Sequence, residues 1–206
     1  MNMDRRDFVR QSTAFAATSA FLPACAKDNS GKGNANMKVK VTKDKVLVVY
    51  FSRSGNTRYV AETFAKACGG VRLVEIKAAK PYASDYGACC DEAKPECAAG
   101  TLRPIEKIAG PDVAAYDVVL VGTPNWWGTL APPVRTWVSE NAATLKAKTV
   151  CLFQTHGGGG MQNCARDFAA LVEGATVLPA ESYYGATVKV RPGLKSFVAD
   201  RLAVEG

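Results

Sequence analysis

From about residue 44 onward, unbroken runs of apolar residues alternate with segments whose apolar residues recur every three to four positions. The unbroken runs are rich in valine and leucine, which is typical of strands covered on both faces. The spaced segments are typical of amphipathic helices. Strands are predicted at residues 45–51, 71–76, 117–122 and 149–154, and at 175–179 with the residues after them. Helices are predicted at residues 57–68, 132–141, 162–171 and 194–204.

This alternation predicts an α/β fold, a doubly wound, five-stranded parallel sheet with helices on both faces. The length of 206 residues, with 48% hydrophobic and 22% charged residues, suits one globular core and is short for two. In open parallel sheets, ligands bind beyond the carboxyl ends of the strands, where the winding direction reverses. The loops after the first, third and fourth predicted strands meet that edge, and each has an unusual composition.

The first loop, SRSGNT at residues 52–57, joins the first strand to its helix. Its hydroxyls, amide and glycine let backbone N–H groups turn inward, and the helix N-terminus adds a positive dipole, so the loop suits a phosphate. The GK[ST] ending of nucleoside-triphosphate loops and the GxGxxG pattern are both absent. A polar turn in which Ser54 or Thr57 caps the helix is the alternative interpretation.

The other two loops are TPNWWG at residues 123–128 and THGGGG at residues 155–160. A flat heteroaromatic ring needs an apolar slot with aromatic rings beside it and backbone groups close to its polar edge. Trp126 and Trp127 supply such a wall, and the glycines let the main chain approach closely. Taken singly, the tryptophans also fit a partner-binding surface or a hydrophobic anchor, and the glycines fit a flexible loop. Their occurrence together at one edge favours a ring-binding site.

In this order and on these strands, the three loops resemble the flavin-binding loops of the flavodoxin family. The resemblance covers about residues 45–202 and implies a five-stranded parallel sheet in the order 2-1-3-4-5, with FMN as the cofactor. KPYASDY at residues 80–86, together with Arg103 and Pro104, resembles an insertion after the second strand in a flavodoxin-like subgroup often found in bacteria.

The resemblance also implies roles for most residues of the three loops. The FMN phosphate is assigned to Ser52, Ser54, Gly55, Asn56 and Thr57, and Arg53 is included although family members mostly use main chain at that position. One side of the ring is assigned to Thr123, Pro124, Asn125, Trp126, Trp127 and Gly128. The other side is assigned to Thr155, His156, Gly157 and Gly158. Replacing either tryptophan with alanine is then expected to weaken FMN binding far more than it lowers fold stability.

His156 is the only histidine of the chain. Beside the ring it would donate a hydrogen bond to a flavin oxygen, stabilise the anionic reduced flavin as an imidazolium, or simply fill the loop as a polar residue. No catalytic residue is assigned beyond this role. A single histidine predicts no metal site.

These features favour an FMN protein that transfers one or two electrons to a redox partner protein or a small quinone-like acceptor. The alternatives are an FMN-dependent quinone or nitro-compound reductase using NAD(P)H, and a non-redox binding module. The net charge of +7 is spread over scattered residues and forms no stripe, so nucleic-acid binding is not predicted. Many electron-shuttle flavodoxins are acidic, so this basic chain is not expected to share their partners.

The N-terminal residues predict export. Residues 1–24 combine a charged head containing Arg5 and Arg6 with an apolar stretch far shorter than the roughly twenty residues that span a membrane. DRRDFVR resembles a twin-arginine signal, and a basic amphipathic helix is the alternative. LPAC resembles a lipobox that would lipidate Cys25, and cleavage after Ala26 is the alternative. The mature protein is expected to be periplasmic or anchored to the membrane only through Cys25, with residues 25–43 as a flexible tether to a domain at 44–206.

Six of the seven cysteines remain if Cys25 is lipidated. They are Cys68, Cys89, Cys90, Cys97, Cys151 and Cys164. A disulfide joining Cys97 to Cys89 or to Cys90 would close a short loop, and free thiols or a redox-active dithiol are the alternatives. Zinc is disfavoured because paired CxxC spacing is absent.

Overall fold

A computed structural model describes residues 38–109 and 112–206. The predicted export signal and the lipidation site at Cys25 lie outside these residues, as does the tether up to residue 37. Within the described ranges, no helix is long and apolar enough to cross a membrane.

The centre of the fold is a parallel sheet. Its strands are β2 (Val46–Tyr50), β3 (Arg72–Glu75), β4 (Val118–Trp126), β6 (Thr149–His156) and β7 (Thr176–Tyr184). They lie side by side as β3-β2-β4-β6-β7, and each neighbouring pair is parallel. Numbered within this sheet alone, the order reads 2-1-3-4-5. The predicted α/β class with a parallel sheet is therefore confirmed.

Helices flank the sheet. They are α1 (Asn56–Ala67), α2 (Tyr86–Ala99), α3 (Pro132–Glu140), α4 (Ala142–Leu145), α5 (Cys164–Leu171) and α6 (Ser196–Arg201). Every residue of β2 is buried, because alternate side chains enter two different cores. Val46 and Val48 pack with α1 and α6, whereas Leu47 and Val49 pack with α3, α4 and α5. An unbroken apolar run is what a strand with two covered faces requires.

The helix α2 was not predicted by the sequence pattern. Its buried residues Cys89, Ala93 and Cys97 are small and recur every four positions, and Pro95 interrupts the helical propensity. Asp85 accepts a hydrogen bond from the Ala88 N–H at the start of the helix, and Gly100 ends it in a left-handed conformation with φ 65°. Asp85 and Gly100 therefore mark the two ends of α2. Its buried residues are too small and too few to give a clear helical hydrophobic pattern in the sequence.

Two predictions at the chain ends are wrong. The helix predicted at 194–204 stops at Arg201, and residues Leu202–Glu205 form a strand, β8. This strand pairs in parallel with β1 (Val39–Thr42), which lies in the predicted tether. The folded domain therefore begins near Val39 rather than near residue 44. Each strand has four residues, so neither carries enough periodicity to be recognised without its distant partner.

Candidate functional site

The loop between β2 and α1 presents unpaired backbone donors. Gly55 is the N-cap of α1, with φ 85°, and its N–H donates to Ser52 Oγ at 3.1 Å. The Tyr59 N–H donates to the Gly55 carbonyl at 3.0 Å. Among the described residues, the N–H groups of Asn56, Thr57 and Arg58 donate to no backbone carbonyl. Three donors at the positive end of a helix are suited to binding an anion such as a phosphate.

Thr57 joins this loop to the end of β6. Its hydroxyl and that of Thr155 lie 2.8 Å apart, and both residues are buried. One hydroxyl donates to the other, so the second hydroxyl proton stays available for an anion. The pair fixes the start of α1 against β6 (Thr149–His156), the strand that leads into the four glycines at residues 157–160, called the glycine run below.

Arg53 reaches away from the anion site. Its Nη2 donates to the Ser84 carbonyl at 2.6 Å, and its guanidinium lies 5.6 Å from the centre of the Tyr86 ring. The side chain therefore contacts the segment before α2 and the first residue of that helix. Only the backbone of Arg53 lies in the loop predicted to bind phosphate.

TPNWWG is the end of a strand and a tight hairpin rather than a loop. The strand β4 continues to Trp126 and pairs antiparallel with β5 (Thr129–Leu130). The two turn residues, Trp127 and Gly128, have φ 52° and φ 86°. A two-residue turn with positive φ at both positions matches the twist of a hairpin. Tryptophan rarely adopts this conformation, so Trp127 is strained.

Pro124 lies in β4 beyond the point where β2 ends. Residues 118–122 of β4 pair with β2, but Thr123 and Pro124 pair only with β6. A proline lacks the N–H that a strand on that side would require, so this position tolerates it. The Thr123 hydroxyl accepts from the Ala131 N–H at 3.1 Å and closes the base of the hairpin.

The two tryptophans have different surroundings. The ring of Trp126 meets Phe51 at 5.5 Å and Tyr82 at 4.8 Å, in both cases edge to face. Trp127 is 54% exposed, and the Lys94 ammonium lies 5.1 Å from its ring centre. The Trp126 ring is therefore packed between other aromatic rings, whereas the Trp127 ring lies at the surface.

Asn125 connects the hairpin to the glycine run. Its Oδ1 accepts from the Gly128 N–H at 2.9 Å, and its Nδ2 donates to the Gly160 carbonyl and to Gln162 Oε1, each at 2.8 Å. The Gly160 carbonyl also accepts from Gln154 Nε2 at 2.6 Å. Two side-chain amides thus hold the end of the glycine run against the hairpin.

The surroundings of His156 favour a neutral imidazole ring. Its Nδ1 accepts from the Gly158 N–H at 3.0 Å, and its ring stacks on Tyr184 at 5.7 Å. Burial lowers the pKa of His156 below 6.5. A neutral ring that accepts at Nδ1 carries its proton on Nε2. This geometry supports a hydrogen-bond donor rather than an imidazolium, since protonation would break the bond from Gly158.

A cavity of about 440 Å³ lies on the α2 side of the hairpin. It is lined by Arg53, Tyr86, Cys89, Cys90, Ala93, Asn125, Trp126 and Trp127. The four lining residues from α2 were missed by sequence reasoning, because they lie far along the chain from the three loops. The only available signal was the aromatic and cysteine content of the insertion.

The cysteines of the described chain are free thiols. Cys89, Cys90 and Cys97 share α2, where seven or eight residues separate Cys97 from the others. This spacing is a rise of about 10–12 Å along a helix, beyond the roughly 7 Å that a disulfide spans. Of the alternatives left open by the sequence, the structure therefore agrees with free thiols and not with a disulfide from Cys97 to Cys89 or Cys90. Burial raises the pKa of Cys97 to about 11 and that of Cys151 to about 12, which is typical of unreactive thiols.

The donor set fits a flat aromatic ligand that carries a phosphate. Anion-binding N–H groups lie at the start of α1, and aromatic and glycine surfaces lie along the same edge of the sheet. A Cβ atom on Gly55 or Gly157 would contact no atom within 4 Å, so there is open space beside both loops. No cluster of three or more metal-ligating side chains occurs in residues 38–109 and 112–206.

Comparison with known proteins identifies the same family that the resemblance of the three loops predicted. The family model described as Flavodoxin matches residues 45–198. A putative flavoprotein from Bacteroides eggerthii DSM 20697 is 27% identical over 71% of this chain and 94% of its own, with a TM-score of 0.60.

Two further solved structures share the fold. A flavoprotein in complex with FMN from Lactobacillus acidophilus NCFM is 23% identical, covers 71% of this chain and 97% of its own, and has a TM-score of 0.60. A putative flavoprotein from Bacteroides uniformis ATCC 8492 is 24% identical, covers 76% and 98%, and has a TM-score of 0.63.

Proposed function

This chain belongs to the flavodoxin family, and from that premise we propose that it is an exported electron carrier with FMN as its cofactor. It is a flavodoxin-like protein that binds FMN, as the family and the FMN complex of the Lactobacillus acidophilus flavoprotein support. When bound, FMN supplies one- and two-electron transfer. The observation that carries the proposal is that three unpaired N–H groups, an aromatic hairpin and a glycine run share one edge of the sheet.

The start of α1 would hold the phosphate. The N–H groups of Asn56, Thr57 and Arg58 donate to its oxygens, and the helix dipole favours its negative charge. The paired hydroxyls of Thr57 and Thr155 add a further donor. These groups are fixed before binding, which reduces the entropy lost on association.

The hairpin and the glycine run would border the ring. Asn125 holds both in place. Its side-chain amide is used in hydrogen bonds within the protein, so it is not expected to bind the ligand. The backbone of Gly157 and the Nε2–H of His156 are free to face the polar edge of the ring. Trp126 excludes water from the base of the hairpin through its contacts with Phe51 and Tyr82.

Exposed aromatic rings favour a carrier that meets a partner at this edge. Tyr86 is 73% exposed and Trp127 is 54% exposed, and both line the cavity next to the hairpin. Exposed aromatic residues are enriched in surfaces that bind partners. Arg53 and Lys94 lie beside them, so a partner with acidic groups at its rim would fit this surface.

The same cavity supports a second candidate, an FMN-dependent reductase of small aromatic acceptors such as quinones or nitro compounds. Its volume of about 440 Å³ is in the range of small-molecule sites, and its lining combines aromatic rings with the Arg53 guanidinium. Oxidation of added NAD(P)H by the FMN-loaded protein, with a quinone as acceptor, would favour this reductase over the carrier.

Titration of the purified apoprotein with FMN tests the cofactor. Saturable quenching of flavin fluorescence at one FMN per chain is expected, together with stabilisation against urea. A protein that takes up no FMN would exclude both redox functions and leave a binding module.

The exported location rests on Arg5, Arg6 and Cys25. Cell fractionation of the full chain, with a variant carrying lysine at both arginine positions, tests the export route. The variant is expected to accumulate in the cytoplasm with FMN bound. Mass spectrometry of the wild-type protein extracted from membranes reports whether Cys25 carries lipid.

A further inference from the structure

Arg103 occupies an unusual position for a charged residue. Among the lysine, arginine, aspartate and glutamate residues of 38–109 and 112–206, it alone is buried, with 6% of its surface exposed. It lies near the end of the insertion, which we define as residues 77–105, between β3 and the segment that leads to β4. Buried ion pairs are often no more stabilising than apolar residues of the same size, but they require one geometry. The fixed geometry around Arg103 is therefore its most distinctive property.

The guanidinium of Arg103 is bonded on several sides. Its Nη1 lies 2.7 Å from a carboxylate oxygen of Glu96, and its Nη2 lies 2.8 Å from one of Glu92. These glutamates are four residues apart on α2 and therefore face the same side of the helix. Nη2 also donates to the Lys80 carbonyl at 2.8 Å, and the Thr136 hydroxyl donates to the Arg103 carbonyl at 2.7 Å. One residue thus joins α2, the segment before it and α3.

Tyr82 lies between Arg103 and the wall of the proposed cofactor site. The Arg103 guanidinium stacks 3.7 Å from the centre of the Tyr82 ring, which fixes the tilt of that ring. The Tyr82 hydroxyl donates to Glu96, which fixes its rotation. Burial and the bond to Glu96 raise the pKa of Tyr82, so the phenol remains a donor. The centre of this fixed ring lies 4.8 Å from that of the Trp126 ring, and the two planes are at 82° in a T-shaped contact.

We propose that Arg103 is a positioning residue for the FMN site and sets the angle of the Trp126 indole through Tyr82. This inference rests on the proposed function, because Trp126 is taken as part of the wall that borders the FMN ring. Phe51 restrains Trp126 from the end of β2, at 5.5 Å. Tyr82 supplies the restraint from the insertion, so a change at Arg103 reaches the wall without touching the cofactor.

Arg103→Lys tests the proposal, because lysine keeps the charge but lacks the planar fork that stacks and bonds to both glutamates. Arg201→Lys is the matched control. Arg201 also stacks on an aromatic ring, Phe197 at 4.1 Å, and bonds to Glu181 and to the Pro179 carbonyl. It lies on α6. The buried residues of α6 pack in the core on one face of the sheet, whereas Trp126 packs against the core on the opposite face.

Two readouts separate positioning from general destabilisation. Fluorine NMR of the apoprotein labelled with 5-fluorotryptophan gives one signal for each of the three tryptophans, and Trp126→Phe assigns that of Trp126. Arg103→Lys is expected to shift the Trp126 signal and to weaken FMN binding by about threefold to tenfold, the effect of misplacing one aromatic contact. Arg201→Lys is expected to change neither.

Tyr82 variants keep the test decisive if Arg103→Lys does not fold. Tyr82→Phe retains the ring and is expected to bind FMN nearly as the wild type does, whereas Tyr82→Leu removes the edge contact and is expected to behave like Arg103→Lys. A folded Arg103→Lys or Tyr82→Leu variant with an unchanged Trp126 signal, or with wild-type FMN affinity, would overturn the proposal. If the wild-type protein itself takes up no FMN, the proposed function fails, and the positioning role fails with it even where the Trp126 signal shifts.

Discussion

Trp126 and Trp127 are neighbours in the chain, but their side chains have different surroundings. Trp126 is the last residue of a strand and packs against two aromatic rings, whereas Trp127 lies in the turn with positive φ and is half exposed. The sequence-based expectation that alanine at either position affects FMN binding far more than stability therefore needs revision for Trp126. Its half-buried ring packs against a core cluster in addition to its proposed role beside the FMN ring.

Trp126→Ala is now expected to lower the free energy of unfolding by about 2–4 kcal/mol, because it leaves a cavity beside Phe51 and Tyr82. Trp127→Ala is expected to leave stability within about 0.5 kcal/mol of the wild type, since its ring is exposed, and to weaken FMN binding. Urea unfolding of the apoproteins and FMN titration measure the two effects. Equal FMN affinity in the Trp127 variant would return this residue to the partner-surface interpretation.

His156 gives a prediction about pH. Its pKa is lower in the folded protein than the ordinary 6.5, so the folded protein binds its proton less readily than the unfolded chain does. The stability due to neutral His156 is therefore complete above about pH 6.5 and is lost as the pH falls through the folded-state pKa. Protonation also removes the acceptor of the Gly158 N–H.

His156→Asn isolates this effect, because asparagine Oδ1 can accept from the N–H two residues on without titrating. Between pH 7 and pH 5, the urea midpoint of the wild-type apoprotein is expected to fall more than that of the variant. His156 is the only histidine, so little else titrates in this range. Parallel pH profiles would show that the ring has no such role.

At the scale of elements, the hairpin and the glycine run use glycine for different reasons. Gly128 has φ 86° and completes the turn, whereas Gly157 has an ordinary φ and faces open space. The first glycine serves the backbone conformation. The second leaves room beside the main chain.

Gly128→Ala and Gly157→Ala are therefore expected to differ in kind. Gly128→Ala should destabilise the apoprotein by about 1 kcal/mol, because an L side chain is strained in this conformation. Gly157→Ala should leave apoprotein stability unchanged and weaken FMN binding, since its Cβ enters the space expected to hold the ring. Thermal unfolding without FMN and FMN titration distinguish the two, and a Gly157→Ala variant with wild-type affinity would place the ring elsewhere.

The strands also differ in how well their bounds can be predicted from the sequence. The apolar run of β2 identified a central strand because both of its faces are covered. By contrast, β4 and β6 extend into TPNWWG and THGGGG, where polar residues continue the parallel pairing. Hydropathy predicts burial rather than hydrogen bonding, so the predicted strands ended too early.

At the scale of the whole molecule, the β1–β8 ribbon joins the two ends of the described chain. Val41 is 8% exposed and belongs to the core cluster with α1 and α6, whereas Lys40 beside it is exposed. Residues 39–42 are therefore part of the fold, and the sequence had assigned them to a tether.

Val41→Asp is expected to lower the free energy of unfolding by about 2 kcal/mol or more, because it buries a charge without a partner. Lys40→Asp is the control and should be nearly neutral. Urea denaturation of both variants measures the difference. Equal stabilities would restore the tether interpretation of these residues.

The sequence by itself determined the α/β class, and it predicted the three segments that meet at one edge of the sheet. These follow from hydrophobic periodicity and local composition, which act within a few neighbouring residues. Only the tertiary structure decided that Arg53 turns toward the insertion, that Asn125 joins the two walls and that Arg103 reaches Trp126 through Tyr82. Such contacts join residues far apart in the chain, and their geometry depends on how whole elements pack, so no local pattern records them.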